Sequence, residues 1–244
     1  MALFHANFHS QALGMQSNAN VILPNEIKPG ERLPVLYLLH GLSDDHTMWQ
    51  RRTSLERYLE KYRLAVVMPN AHRSFYTDMV HGEKYFTYMA DELPRLMQGF
   101  FPISAERSQN FVAGLSMGGY GAFKLALNRP QQYGAAASFS GAINIAERDW
   151  EAFGPLMANV FGSREEIRQP PHNLLAVIKT LPAADCPLLF QACGTEDFLY
   201  QENHVFRDAA QAAGLPLTYT EGPGGHEWSY WDARIQDVLA WLPL

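Results

Sequence analysis

The chain has 244 residues, 47% of them hydrophobic and 18% charged, and a formal net charge of −6. This length and balance support a well-packed core, here expected as one domain over 1–244, and exclude a disordered chain. No basic cluster favours nucleic acid, and no apolar run approaches the roughly 20 residues that would span a bilayer.

The N-terminal "MALFHANFHSQALG" has neither the basic start nor the continuous apolar stretch of a signal peptide, so a cytoplasmic protein is expected. Ala2–Phe8 and Asn20–Leu23, separated by "LGMQSN", predict an opening hairpin. Leu33–Leu39, "LPVLYLL", reads as a strand buried on both faces, as inside a parallel sheet, and ends at His40-Gly41. Leu55, Tyr58, Leu59 and Tyr62 recur at helical spacing and predict a helix over Trp49–Tyr62. Leu64–Met68 is a further strand, stopped by Pro69-Asn70. Lys84–Phe100 is helical, with Pro94 either kinking it or opening a second segment.

Asn110–Leu115 predicts a strand and Gly118–Asn128 a helix that ends before Pro130. Ala135–Phe139 and Leu188–Ala192 are buried-strand candidates, followed by a helix over Phe198–Ala213, a strand over Leu217–Glu221 and a last helix over Trp228–Trp241. Residues 141–185 carry Pro155, Pro170, Pro171 and Pro182 and little periodicity, so they are expected as an excursion or cap. Strands alternating with helices predict an α/β domain with a mostly parallel sheet. Cys186 and Cys193 lie beside or within one strand, too far apart for a disulfide, and are read as buried free thiols.

"VAGLSMGGYGAFK" places Gly114-Leu115-Ser116-Met117-Gly118, a G-x-S-x-G, where a strand turns into a helix. In that setting the serine is a nucleophile candidate, and side chains at either glycine would clash with the neighbouring strand or helix. A glycine-rich turn with a structural serine is the plainer alternative. A serine hydroxyl needs a base. Of nine histidines, His226 in "GPGGHEW" follows the last strand, where such a base belongs in the chain order Ser, acid, His. The acid should end the strand before: "CGTEDFLY" offers Asp197, with Glu196 as the fallback. Backbone donors for an oxyanion are expected from Met117 and, in "LLHGLSDD", from Leu42, with His40 structural.

"YLLHGLSDDHTMW", "VVMPNAHRSFYTD", "GLSMGGYGAFKLAL", "CGTEDFLY" and "GGHEWSYWD" together resemble the tributyrin (acetyl) esterases of the esterase D-like α/β-hydrolases over nearly the whole chain, 141–185 excepted. The resemblance implies the α/β-hydrolase fold, a Ser116–His226–Asp197 triad and a Leu42/Met117 oxyanion hole. It also implies hydrolysis of short acyl esters, acetylated sugars included, without metal or organic cofactor. S-formylglutathione hydrolases are the nearest functional relatives. They tend to show "HGLTC" and "GHSMGGHGA", from which Ser43-Asp44, Leu115 and Tyr120 depart. A non-catalytic binding protein on this fold is the alternative from another class. Trp49, Tyr76, Trp228 and Trp231 fall in or beside the site loops and are expected to line the pocket, with core packing as the other reading of each. The expected partner is a small ester. The oligomeric state is open, a homo-oligomer included.

Overall fold

The computed structural model describes residues 1–244. Its opening hairpin outruns the apolar pattern: β1 (Ala2–Ser10) pairs antiparallel with β2 (Met15–Leu23), and Gly14, at φ 63°, turns the chain between them. Next come β3 (Val35–Leu39), α1 (Met48–Arg52), α2 (Leu55–Leu59) and β4 (Ala65–Pro69). The single helix expected over Trp49–Tyr62 is therefore two. Thr53 interrupts it, its hydroxyl donating to the Trp49 carbonyl at 2.5 Å and accepting the Leu55 N–H at 3.2 Å. The side chain thus competes with the helical ladder for its backbone partners.

The stretch over Lys84–Phe100 is helical but not uniform: α3 (Tyr85–Thr87), a π-turn over Tyr88–Glu92, then α4 (Leu93–Phe100) with Pro94 in its first turn. Pro94 has no N–H for the carbonyl of Ala90, four residues earlier. The side chain of Gln132 donates to that carbonyl instead, at 2.8 Å. The chain continues through β5 (Asn110–Leu115), α5 (Met117–Asn128) and β6 (Ala135–Phe139). The excursion is built of short helices, among them α6 (Pro155–Phe161), α7 (Arg164–Ile167) and α8 (Leu174–Ile178). Then follow β7 (Leu188–Gly194), α9 (Tyr200–Ala212), β8 (Leu217–Gly222) and α10 (Trp228–Trp241).

The strands form one eight-stranded sheet in the order β1-β2-β4-β3-β5-β6-β7-β8. Only the hairpin joins antiparallel; from β4 to β8 every neighbour is parallel. Every residue of β3, β4, β5 and β6 is buried, because helices cover both faces. Alternate side chains feed opposite layers: Val35, Tyr37 and Leu39 face the larger core with α5 and the excursion, Leu36 and Leu38 the smaller one with α1, α2 and α10. No helix is long and apolar enough to cross a membrane.

Glu92, buried in the π-turn, fastens the hairpin to this framework. Its carboxylate accepts from the Ser10 hydroxyl at 2.5 Å and from the N–H groups of Gln11 and Ala12 at 2.8 and 3.1 Å. Burial raises the carboxyl pKa, but these donors outweigh it and the net shift is downward. A carboxylate whose folded pKa lies below its unfolded value contributes fully at neutral pH, and the contribution fades as the pH falls through the folded value. Glu92→Ala should cost about 3 kcal/mol, since three donors lose their acceptor. Urea melts at pH 7 and at pH 4 check both claims: the gap between wild type and variant should narrow at the lower pH.

Candidate active site

The residues picked out by the motifs gather at the carboxyl ends of the parallel strands. β4 and β5 lie on opposite sides of β3, so the chain leaves β3 in one direction and later returns on the other. The crevice at such a switch point is where open α/β sheets place ligands.

Ser116 joins β5 directly to α5 and adopts φ 53°, ψ −118°, a backbone region that L-residues rarely occupy. Hydrogen bonds clamp the turn: the Ser116 N–H donates to Phe139 at 2.9 Å, and its carbonyl accepts from Ala142 at 3.1 Å. A Cβ on Gly118 would fall 2.6 Å from the carbonyl oxygens of Leu39 and His40, and one on Gly114 would strike the Gly118 carbonyl. Only hydrogens fit there, so the glycines let the turn close and push the serine side chain outward.

His226 Nε2 lies 3.0 Å from Ser116 Oγ. Its Nδ1 lies 2.9 and 3.1 Å from the two carboxylate oxygens of Asp197. The Asp197 side chain is wholly inaccessible and also accepts the Leu199 N–H at 2.8 Å. Burial raises its pKa, but the bonds from His226 and Leu199 prevail, and the carboxyl lies below its ordinary value. An ionised Asp197 accepts the hydrogen bond from Nδ1–H, which keeps the proton on Nδ1 and leaves Nε2 with a free lone pair toward Ser116. Between the two candidate acids the structure distinguishes cleanly. Glu196 is exposed and bonds the Gly224 N–H at 2.5 Å, tying the loop of the acid to that of the histidine. The imidazole is gripped by the Phe198 ring at 4.5 Å and the edge of Trp231 at 4.9 Å.

His40 is fully buried, and burial lowers its pKa to about 4, so it is neutral. Its Nε2 accepts the Ala71 N–H at 3.0 Å, so the proton sits on Nδ1 and goes to the Gly41 carbonyl at 2.7 Å. The Asp44 N–H reaches the same carbonyl at 3.2 Å. In a trans peptide the N–H points opposite to the C=O, so this pinning aims the Leu42 N–H the other way. Leu42 and Met117 both line the cavity above Ser116, and neither N–H is engaged by a loop or turn acceptor.

A family model for esterases matches residues 10–242. The chain belongs to the Esterase family. An acetyl esterase of Caldicellulosiruptor saccharolyticus is 29% identical, over 99% of this chain and 98% of that one. The fluorophosphonate-binding serine hydrolase F of Staphylococcus aureus superposes with a TM-score of 0.89 at 35% identity, over 99% of this chain and 98% of that one. An S-formylglutathione hydrolase of the same organism gives 0.88 at 35% identity with the same coverage. The protein is thus a serine esterase of the esterase D-like group, with the α/β-hydrolase fold.

The esterase has a cavity of about 660 Å³ over Ser116. Trp228 and Trp231 line it, as the sequence suggests; Trp49 and Tyr76 do not. Trp49 is buried one layer behind, its edge packed on Trp228 at 5.2 Å and its Nε1–H given to the Leu39 carbonyl at 2.9 Å. Tyr76 is likewise buried, its hydroxyl bonded to the His40 carbonyl at 2.9 Å. Both satisfy backbone next to the site rather than face a ligand. From the excursion, Phe153 reaches the cavity, while Met157, Val160 and Phe161 are core. Phe75, Phe198, Arg52 and Arg148 also line it: Phe75 and Phe198 fall within "VVMPNAHRSFYTD" and "CGTEDFLY", where other residues carry the motif, and no motif contains Arg52 or Arg148. No group of three or more His, Cys, Asp or Glu side chains is placed to hold a metal ion.

Ser116→Ala and His226→Ala should each lower kcat by roughly 10⁴ to 10⁶ while the thermal melt stays near wild type, because such residues act as a unit. Asp197→Asn should be similarly harmful, through the wrong imidazole tautomer, and Glu196→Gln far less so. Steady-state rates on one activated ester compare all four. Near-normal turnover in Asp197→Asn would reassign the acid.

Proposed function

We propose that this esterase is a carboxylesterase for short acyl esters, acetyl to butyryl, acting through an acyl-enzyme on Ser116. The observation that carries the reading is the unbroken hydrogen-bonded chain Ser116–His226–Asp197 opening into a cavity. His226 Nε2 takes the hydroxyl proton as Ser116 Oγ bonds to the ester carbonyl carbon. The charge that develops on the carbonyl oxygen is met by the N–H groups of Leu42 and Met117, already oriented before substrate arrives. As the tetrahedral species collapses, the C–O bond to the alcohol breaks and His226 returns its proton to the leaving oxygen. Water then repeats the sequence on the acyl-enzyme and releases the acid. Asp197 stays ionised and stabilises the imidazolium in both halves.

Short acyl groups are favoured by the wall. Phe75 and Phe153 meet edge to face at 6.3 Å and Arg148 covers Phe153 at 5.2 Å; all three line the cavity, and in this reading they wall one end of it. An open apolar channel gains roughly 0.8 kcal/mol for each methylene buried; a closed one stops gaining and then loses through overpacking. Arg52 supports a second reading, a thioester of an anionic thiol such as S-formylglutathione. It lines the cavity with no carboxylate in ion-pairing contact. The departures at Ser43-Asp44, Leu115 and Tyr120 favour the oxyester.

On p-nitrophenyl esters, kcat/KM should peak between acetate and butyrate and fall sharply by octanoate, and a fluorophosphonate should label Ser116. A maximum at decanoate or beyond would replace the closed pocket with a lipase-like channel. A thioester turned over faster than its matched oxyester would favour the second reading.

A further inference from the structure

Behind the Phe75 wall lies an amine with no acid partner. Lys124, on α5 about two turns beyond Ser116, is completely buried. Its Nζ donates to the Thr77 hydroxyl at 2.5 Å and to His172 Nδ1 at 3.2 Å. The rings of Tyr120, Phe86 and Phe161 stand 5.4, 5.7 and 5.8 Å from it. Asp78 is the acid whose field reaches it, but both Asp78 oxygens are already engaged by Thr87, at 2.8 and 2.7 Å. Burial accordingly drives the Lys124 pKa down to about 7. Burial and then Lys124 push His172 down to about 3, which leaves that imidazole neutral and its Nδ1 able to accept. An apolar side chain would fill this space without the desolvation cost of an amine.

What the amine touches is the cavity wall. The Thr77 hydroxyl that accepts from Lys124 donates onward to the Phe75 carbonyl at 2.9 Å. Phe75 and Tyr76 sit at φ 49° and 51°, conformations that L-residues resist and that surrounding contacts must enforce. The rings flanking Phe75, Phe161 at 5.8 Å and Tyr120 at 6.3 Å, are two of the three that surround Nζ. On the excursion side, the Tyr120 hydroxyl bonds the His172 carbonyl at 2.9 Å, and Asn128 reaches Pro171 at 3.3 Å. Lys124 thus stands where α5, the strained Phe75 turn and the excursion meet.

We propose that Lys124 is a positioning residue for acyl selectivity. Through Thr77 it holds the Phe75 turn, and through His172 it holds the excursion that carries Phe153, so that the two rings close one end of the cavity. This rests on the reading of that end as the acyl pocket. Removing the relay should let the wall give way to longer chains and leave the chemistry at Ser116 alone.

The test compares Lys124→Met, Thr77→Val and Thr77→Ser with wild type on p-nitrophenyl acetate and octanoate, with fluorophosphonate labelling of Ser116 as a check on the nucleophile. In Lys124→Met and Thr77→Val the acetate-over-octanoate ratio of kcat/KM should fall at least tenfold, mainly through a lower KM for octanoate. Acetate kcat and the labelling rate should stay within threefold of wild type. Thr77→Ser keeps the hydroxyl and should keep the wild-type ratio. If Lys124→Met does not fold, the Val and Ser pair at Thr77 carries the comparison. An unchanged ratio in the folded variants overturns the proposal, as does an equal loss on both esters or a Ser variant that behaves like Val. A wild-type enzyme without short-chain preference refutes the acyl-pocket reading itself, and does so before any variant is made.

Discussion

The contact on which the rest depends is the close approach of the β5–α5 turn to the end of β3. Gly118 passes so near the Leu39 and His40 carbonyls, and Gly114 so near Gly118, that neither position has room for a Cβ. That closeness drives Ser116 to φ 53° and aims its hydroxyl off the end of the sheet. The same approach brings the N-terminus of α5 beside the loop after β3. Leu42 and Met117 then line the same cavity, although 75 residues separate them in sequence. Strain at one residue is sustained because β-sheet bonds on both sides of β5 and the packing of a helix buried from Met117 to Leu127 over-determine the turn.

His226 is held with comparable thoroughness, by a different device. Two loops from neighbouring strands are fastened together by backbone: Thr195 and Glu196 donate to Gly222 and Gly224 at 2.9 and 3.1 Å, and Gly194 has no room for a side chain against Gly224. His226 and Asp197 therefore move as one piece. Phe198 and Trp231 restrict the imidazole plane, while Trp231 spends its own N–H on the Ser140 hydroxyl at 3.1 Å. A buried carboxylate is costly unless its lone pairs are used, and Asp197 uses them on the imidazole and a backbone amide. The result is an electrostatic arrangement set before substrate binds, which is where most of the stabilisation in such sites originates.

α5 links these local devices to the cavity. It begins at the nucleophile candidate and carries Tyr120 and Lys124 on the side that meets the excursion, so one rigid element joins the Ser116 turn to the contacts behind Phe75. A polar cluster of Lys124, Thr77 and His172 inside an otherwise apolar layer exchanges some stability for a defined arrangement of loops, since directional bonds specify geometry where methyl groups only fill space.

The sequence by itself determined the order of strands and helices, the parallel sheet and the Ser116, Asp197 and His226 positions. Each of these rests on short-range rules: apolar runs bounded by turns, glycines demanded by a tight elbow, and a carboxylate and a histidine at the expected places in chain order. The finer breaks escaped it. Thr53 splits a helix through its hydroxyl; the new segment at Pro94 is legible in the sequence, but not the π-turn before it, where the Ala90 carbonyl is answered by Gln132, 42 residues away, a partner no local window contains. The sequence prefers Asp197 and keeps Glu196 as a fallback; the loop geometry shows why the two adjacent acids part, one buried against the imidazole and the other exposed on the Gly224 amide. Only the tertiary structure decided which aromatics face the cavity. Trp49 and Tyr76 lie in the site loops yet point inward to backbone acceptors, whereas Phe75 and Phe198 enter the cavity because of how their loops are held, a consequence of contacts made across the whole fold.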